Sequence, residues 1–242
     1  ERIHTIWHLT WPQCIMLLCQ FVIGITDVWA GGRIGSEVQA SIGLITQCHM
    51  MFMALAMAAV SGAVASISQS LGACKFVRAR RYVGLVTIGC IAIGSAIAVA
   101  ASVWREPLLR LIQTPESIMP VAIMFLTATI WGTPGQYTLT IGAAVFRSAK
   151  MVLIPLYVTG TACLLNVFGD LAFGLGWWGF PAYGATGIAY STLVSVTVGA
   201  ALMLFLLMRH ELFTRDSFPG WRWIKAGAPY LLKVAGPAFG TS

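Results

Sequence analysis

Apolar residues in this 242-residue chain gather into long runs that recur from one end to the other. Most are near the ~20 residues that cross a hydrocarbon core as helix. Six spans are read at 8–30, 42–71, 82–104, 119–146, 151–176 and 184–208, and a further apolar stretch starts near 227. Recurrence of this kind excludes a signal peptide followed by a soluble domain. The pattern predicts an all-α integral membrane fold, with a six-transmembrane-helix bundle over 1–225 and the start of a seventh helix over 226–242. The chain opens on Glu1 and stops at Ser242 inside that seventh stretch, so both ends are expected to be trimmed.

Composition agrees with the pattern. Hydrophobic residues make up 58% and charged residues 10% of the chain, and the mean hydropathy is +0.81. Globular domains carry roughly 25% charged residues, so a water-facing surface cannot be built from this sequence. The net charge of +7 does not point to nucleic acid, because the charges sit in short clusters between apolar runs. A groove-following patch would be continuous. The six cysteines form no CxxC pair and nearly all lie within apolar runs, which makes them small buried hydrophobes rather than disulfide or metal ligands.

The charge clusters carry the topology. With residue 1 cytoplasmic and the spans alternating, the inner loops hold Lys75, Arg78, Arg80 and Arg81, then Arg147 and Lys150, then Arg209, Arg215, Arg222 and Lys225. Adding Arg2 and Lys233 gives twelve inner basic residues against three outer ones, Arg33, Arg105 and Arg110. Lys and Arg mark the cytoplasmic side because they resist translocation. The N-terminus is therefore expected in the cytoplasm, and the chain in the plasma (inner) membrane. On the outer side, residues 105–118 are short, amphipathic and Pro-containing, as a segment lying along the interface would be. Residues 177–183 place aromatics and a proline where an interfacial belt belongs.

Polar groups inside the spans are the candidates for chemistry. Of eight acidic residues, only Asp27 and Asp170 fall within apolar runs. A carboxylate at membrane depth costs at least ~2.5 kcal/mol, so both should face the protein interior or a water-filled cavity. Asn166 lies four residues before Asp170, which puts an amide oxygen and a carboxylate on one helix face. Oxygen donors suit a hard cation such as Na+, and the same groups can hold a proton. Thr192 could add a hydroxyl oxygen, or bond back to its own helix. Pro12 and Pro134 interrupt helical hydrogen bonding within spans one and four and favour kinks. Gln20, Gln47 and Gln136 are candidate cavity-lining groups. Met53, with Met50, Met51 and Met57, offers either an adaptable apolar surface to ligands or simple filler.

Three blocks carry a family resemblance. Pro12 followed by Thr26-Asp27-Val28-Trp29-Ala30-Gly31-Gly32-Arg33-Ile34-Gly35 is the first. Ser70-Leu71-Gly72-Ala73 with the basic run Arg78 to Arg81 is the second, and Leu165-Asn166 through Gly176 with Gly184-Ala185-Thr186-Gly187-Ile188-Ala189 up to Thr192 is the third. In this order they resemble the multidrug and toxic compound extrusion (MATE) transporters. The resemblance implies a twelve-helix protein of two six-helix lobes around a central cavity. It also implies export of amphipathic, often cationic small molecules driven by entry of Na+ or H+, with no other cofactor. Carried over by position, Asp27, Asn166, Asp170 and Thr192 match the cation-site residues of the first lobe, and Pro12 matches a proline associated with helix bending. The chain would then be the N-terminal lobe, ending just after Lys233-Val234-Ala235-Gly236-Pro237, which resembles the start of helix seven, with the C-terminal lobe absent.

Two alternatives are weighed against it. An intramembrane aspartyl protease also uses two aspartates, but Ile25-Thr26-Asp27 and Val167-Phe168-Gly169-Asp170 lack the tyrosine and the first glycine of its signatures. A lipid-linked oligosaccharide flippase of the same superfold would line its cavity with cations, whereas spans one to six contain no Lys or Arg. A transporter rather than an enzyme is expected.

Overall fold

Helices form wherever the apolar runs were long, because backbone groups in hydrocarbon must be satisfied within their own segment. The computed structural model describes residues 2–214, 217 and 218. In chain order its helices are α1 (Arg2–Ile34), α2 (Ser36–Gly72), α3 (Phe76–Val103), the short α4 (Arg105–Leu111), α5 (Met119–Ser148), α6 (Leu153–Gly169) and α7 (Ala185–Arg209). A π-helical turn over Asp170–Gly174 extends α6, and a 3-10 turn, Trp177–Gly179, follows. The further apolar stretch near 227 and the segment 226–242 lie outside the described residues.

Four segments combine the length and apolarity needed to cross a membrane: Trp7–Ile34, Phe76–Val103, Leu153–Gly174 and Ala185–Arg209. Helices α2 and α5, of 37 and 30 residues, are also long enough to cross. Helix α5 packs against α2, α3 and α7, and α2 packs against α1, α3 and α5. The threonines of α5 bond back to their own backbone, as in Thr127 to Ile123 O at 2.7 Å and Thr138 to Pro134 O at 2.8 Å. The hydroxyl of fully buried Tyr137 on α5 donates to the Phe52 carbonyl on α2.

Two apolar clusters hold the bundle. One gathers Ile67, Tyr82, Tyr137, Phe146 and Met203 from α2, α3, α5 and α7. The other gathers Ala30, Ile42, Leu126, Ile130 and Ile188 from α1, α2, α5 and α7. Met53 packs against the first, whereas Met50, Met51 and Met57 are exposed. The segment 105–118 does contain a short helix, pinned by Leu109, which is fully buried, and by an Arg110–Glu116 ion pair at 3.4 Å. Beyond α7 the chain folds back. Glu211 pairs with Arg80 at 3.3 Å, and buried Ser217 lies against Gly84 of α3.

Helix ends depart from the usual glycine cap. Four of them, after α2, α4, α5 and α7, turn through a left-handed residue that is not glycine: Cys74, Gln113, Lys150 and Glu211. Each is locked by a bond closing the last turn, for example Lys75 N to Ser70 O at 2.9 Å and Met151 N to Phe146 O at 2.9 Å. A Cβ in this conformation costs about 1–2 kcal/mol. Exposed Cys74→Gly is therefore expected to stabilise the protein by about 1 kcal/mol, read as a rise in thermal midpoint in detergent. A fall would show that the thiol makes contacts outweighing the backbone relief.

Candidate cation site

Asp27 on α1, Asn166 and Asp170 on α6, and Thr192 on α7 converge. Asn166 and Asp170 are 1% and 0% exposed, so neither touches lipid. The Asp27 side chain lies beside both Asp170 and Asn166. Asn166 donates its Nδ2 to Thr192 Oγ1 at 3.1 Å, and the same hydroxyl donates to Ile188 O at 3.2 Å. The bond of Thr192 back to its own helix is present, and it coexists with the contact to Asn166. Its proton satisfies its own helix while its oxygen receives the amide.

The unsatisfied atoms are the telling ones. Asp27 Oδ1, Asn166 Oδ1 and Asp170 Oδ2 are buried without a hydrogen-bond partner. Buried polar atoms in native proteins are nearly always paired, and three acceptors orphaned in one place form an oxygen cluster lacking a positive charge.

Local structure explains the convergence. Asn166 and Asp170 share a face because they are one helical turn apart. At Asp170 the single span read at 151–176 changes winding: Leu175 N bonds Asp170 O at 3.0 Å, five residues apart instead of four. Such π turns insert an extra residue and gather at functional sites. Helix α7 comes close because two glycines admit it. A Cβ on Gly169 would strike Ser191, and one on Gly187 would strike the Phe173 carbonyl.

An aromatic group covers this end of α1 and α6. Trp29 meets Trp177 edge-on at 6.1 Å, Phe168 stacks on Trp178 at 5.5 Å, and Phe173 meets Phe180 at 5.2 Å. Arg33 lies over the Trp29 ring at 5.2 Å. The 177–183 segment therefore caps the bundle with its aromatics.

The remaining candidates are dispersed. Pro12 is buried within α1. Gln20 lines an apolar groove of about 600 Å³ with Phe21, Ile25, Val28, Trp29 and Gln39. Gln47 is exposed on α2, Gln136 is half-buried on α5, and neither lines that groove. Two polar residues were missed by sequence reading. Gln39 sits ahead of the span read from 42, because α2 begins at Ser36. Ser191 donates its hydroxyl to Asp170 Oδ1, and its only signal was adjacency to Thr192.

A bundle of long apolar helices with an acidic, oxygen-lined interior is a membrane fold, and sequence comparison identifies the kind. The MatE family profile matches residues 12–171. The chain belongs to the MatE family. It is 26% identical over 195 residues to the probable multidrug resistance protein NorM of Thermotoga maritima, covering 80% of this chain and 42% of that protein. It is 24% identical over 241 residues to the uncharacterized transporter YisQ of Bacillus subtilis, covering 99% of this chain and 53% of that one. The chain thus spans about half the length of the curated relatives it matches. Among solved structures, an outward-facing multidrug resistance MATE family transporter of the MOP superfamily superposes with a TM-score of 0.84 at 21% identity, over 96% of this chain and 51% of that one. The bent form of the Vibrio cholerae MATE transporter VcmN gives 0.85 at 21% identity, over 97% and 52%. The fold is that of one lobe of these transporters, which are integral membrane proteins.

Proposed function

We propose that the complete protein is a secondary transporter that exports amphipathic or cationic small molecules in exchange for Na+ or H+, and that this chain is its N-terminal lobe. The observation that carries the reading is the trio of orphaned oxygens on Asp27, Asn166 and Asp170. Hard cations take oxygen ligands, carboxylates above all, and these residues fit such an ion. Asp27, Asn166, Asp170 and Thr192 would hold Na+, or the carboxylates a proton. The ion supplies the positive charge that lets two neighbouring carboxylates coexist in low dielectric. What this chain's own residues do is orient the oxygens: Thr192 fixes the Asn166 amide, and the packed α6 and α7 fix both carbonyl-bearing side chains.

The bundle would sit in the plasma (inner) membrane with its N-terminus cytoplasmic and a second six-helix lobe facing it across a central cavity. Pro12, buried in α1 fifteen residues before Asp27, gives that helix a weak point where it can bend. Relatives named as multidrug resistance proteins support the substrate class.

The test is transport by the complete protein in proteoliposomes, with an outwardly directed substrate gradient excluded. Substrate accumulation driven by an imposed Na+ or pH gradient is expected, and its collapse on adding the matching ionophore. Accumulation indifferent to both gradients would refute ion-coupled export.

A further inference from the structure

A second cleft lies between α5 and α7, at the end of the bundle that carries α4. It encloses about 460 Å³ and its walls are mainly apolar, a size ordinary for a small-molecule site of roughly 300–1,000 Å³. On α5, Pro120, Met124, Thr127 and Trp131 recur at helical spacing, and Tyr190 and Leu193 of α7 form the other wall. Pro120 to Trp131 is ~16 Å of helix at ~1.5 Å per residue. One leaflet is about as deep, being half of a ~30 Å hydrocarbon core. The two helices meet closely only further along. A Cβ on Gly135 would lie 2.9 Å from Val196 Cγ1, and one on Gly142 would strike Met203. Nearer α4, the small side chains of Ala128 and Ala189 leave the space open. Trp131 and Tyr190 are 55% and 60% exposed, so the cleft opens sideways toward lipid.

Arg105 stands at the mouth. It is exposed and makes no ion pair among the described residues, although Glu106 follows it in the chain. The other basic residues of this end are engaged, Arg110 with Glu116 and Arg33 with the Trp29 ring. Thr186, one turn before Tyr190, gives its hydroxyl to Met124 Sδ at 3.3 Å, and a thioether is a weak acceptor. We propose that this cleft binds one anionic phospholipid, with its phosphate on Arg105 and one acyl chain between α5 and α7. A guanidinium grips phosphate oxygens through paired N–H donors, and Thr186 can turn its hydroxyl to the same headgroup. Charge separates this occupant from the proposed cargo, because Arg105 repels an amphipathic cation. A free phosphate would leave the apolar walls unused. The lipid site needs only that the bundle is embedded in a membrane, so it stands apart from ion coupling.

The experiment places the complete protein in phosphatidylcholine nanodiscs with a trace of phosphatidylglycerol or phosphatidylcholine, each bearing the same diazirine-labelled acyl chain. Adducts are mapped by mass spectrometry. Phosphatidylglycerol is expected to label peptides covering 120–131 and 189–193 in preference to phosphatidylcholine. Arg105→Gln should lower that labelling about tenfold, the scale of a hydrogen-bonded contact between charged groups, whereas Arg105→Lys keeps most of it. Ala128→Leu, which fills the cleft, should lower labelling by both lipids. Equal labelling by the two lipids in the parent, or labelling unchanged in Arg105→Gln, would mean ordinary surrounding lipid and overturns the proposal. Labelling unchanged in Ala128→Leu also overturns it, by placing the chain outside the cleft. So does suppression by excess glycerol phosphate, which would make this a site for free phosphate. If Ala128→Leu does not fold, Arg105→Gln, at an exposed position, decides alone.

Discussion

Asp27→Asn and Asp170→Asn, each introduced into the complete protein, are expected to lower substrate export by roughly tenfold to a hundredfold without impairing membrane insertion. An amide keeps the shape of the carboxyl but carries no charge and releases no proton. The interaction lost is a charged ligand's contact with the coupling ion, and hydrogen bonds or ion contacts to charged groups contribute about 1.5–3 kcal/mol. At 1.4 kcal/mol per decade this spans the stated range. Insertion should survive, since an amide is cheaper than a carboxylate at membrane depth. The measurement is drug efflux normalised to the amount of protein in the membrane. Parental efflux in both variants would remove these aspartates from the mechanism.

The second large effect is antagonism between ion and substrate. On the proposed reading, arrival of Na+ or H+ would neutralise one charge of the carboxylate pair and change how α1 packs against α6 and α7, with Pro12 as the weak point at which α1 would yield. A ligand shifts a two-state equilibrium only by its differential affinity for the two forms. The ion must therefore favour the form that binds substrate less well, and the effect is reciprocal. Couplings of this kind are typically about 5- to 150-fold. Substrate affinity of the complete protein should fall by such a factor as Na+ rises or pH drops, and Asp170→Asn should flatten the response. Affinity that ignores both variables would sink the coupling role given to Asp170.

How much of this was legible in the sequence depended on which physical rule governed each feature. The spans were visible because hydrocarbon enforces apolar length: the boundaries at 184–208 lie close to α7, and the end at 104 close to that of α3, whose start at Phe76 precedes the span read from 82. The start of α2 was misread because Ser36-Glu37-Val38-Gln39 is polar, and a helix already hydrogen-bonded internally continues past the apolar run into the interface. Asp27, Asn166 and Asp170 stood out because acids in lipid demand an explanation. Their meeting between α1 and α6 was expected from the cost of burying them and from the resemblance, not from spacing, since the contact joins residues far apart in the chain. Ser191 was hidden for a different reason. A serine inside a membrane helix usually bonds its own backbone, and only the approach allowed by Gly169 gives it an acid to hold. The π turn left no mark at all, because winding is settled by the packing of Gly174 against Ile188 and of Phe173 against Gly187.

The aromatic cover has an optical consequence. Trp29 lies two residues beyond Asp27, in edge contact with Trp177 and beneath the Arg33 guanidinium. Indole emission responds to charges and polar groups close to the ring, so a change of charge at Asp27 alters the field felt by this pair. Seven further tryptophans contribute background, the chain holding nine in all. Of these, Trp29 is the one that α1 carries on the same stretch of helix as the acid. Replacing Trp7, Trp104 and Trp131, each more than half exposed and remote in sequence from Asp27, would remove three of the seven background rings and weight the intrinsic fluorescence toward the pair beside the site, without any added dye.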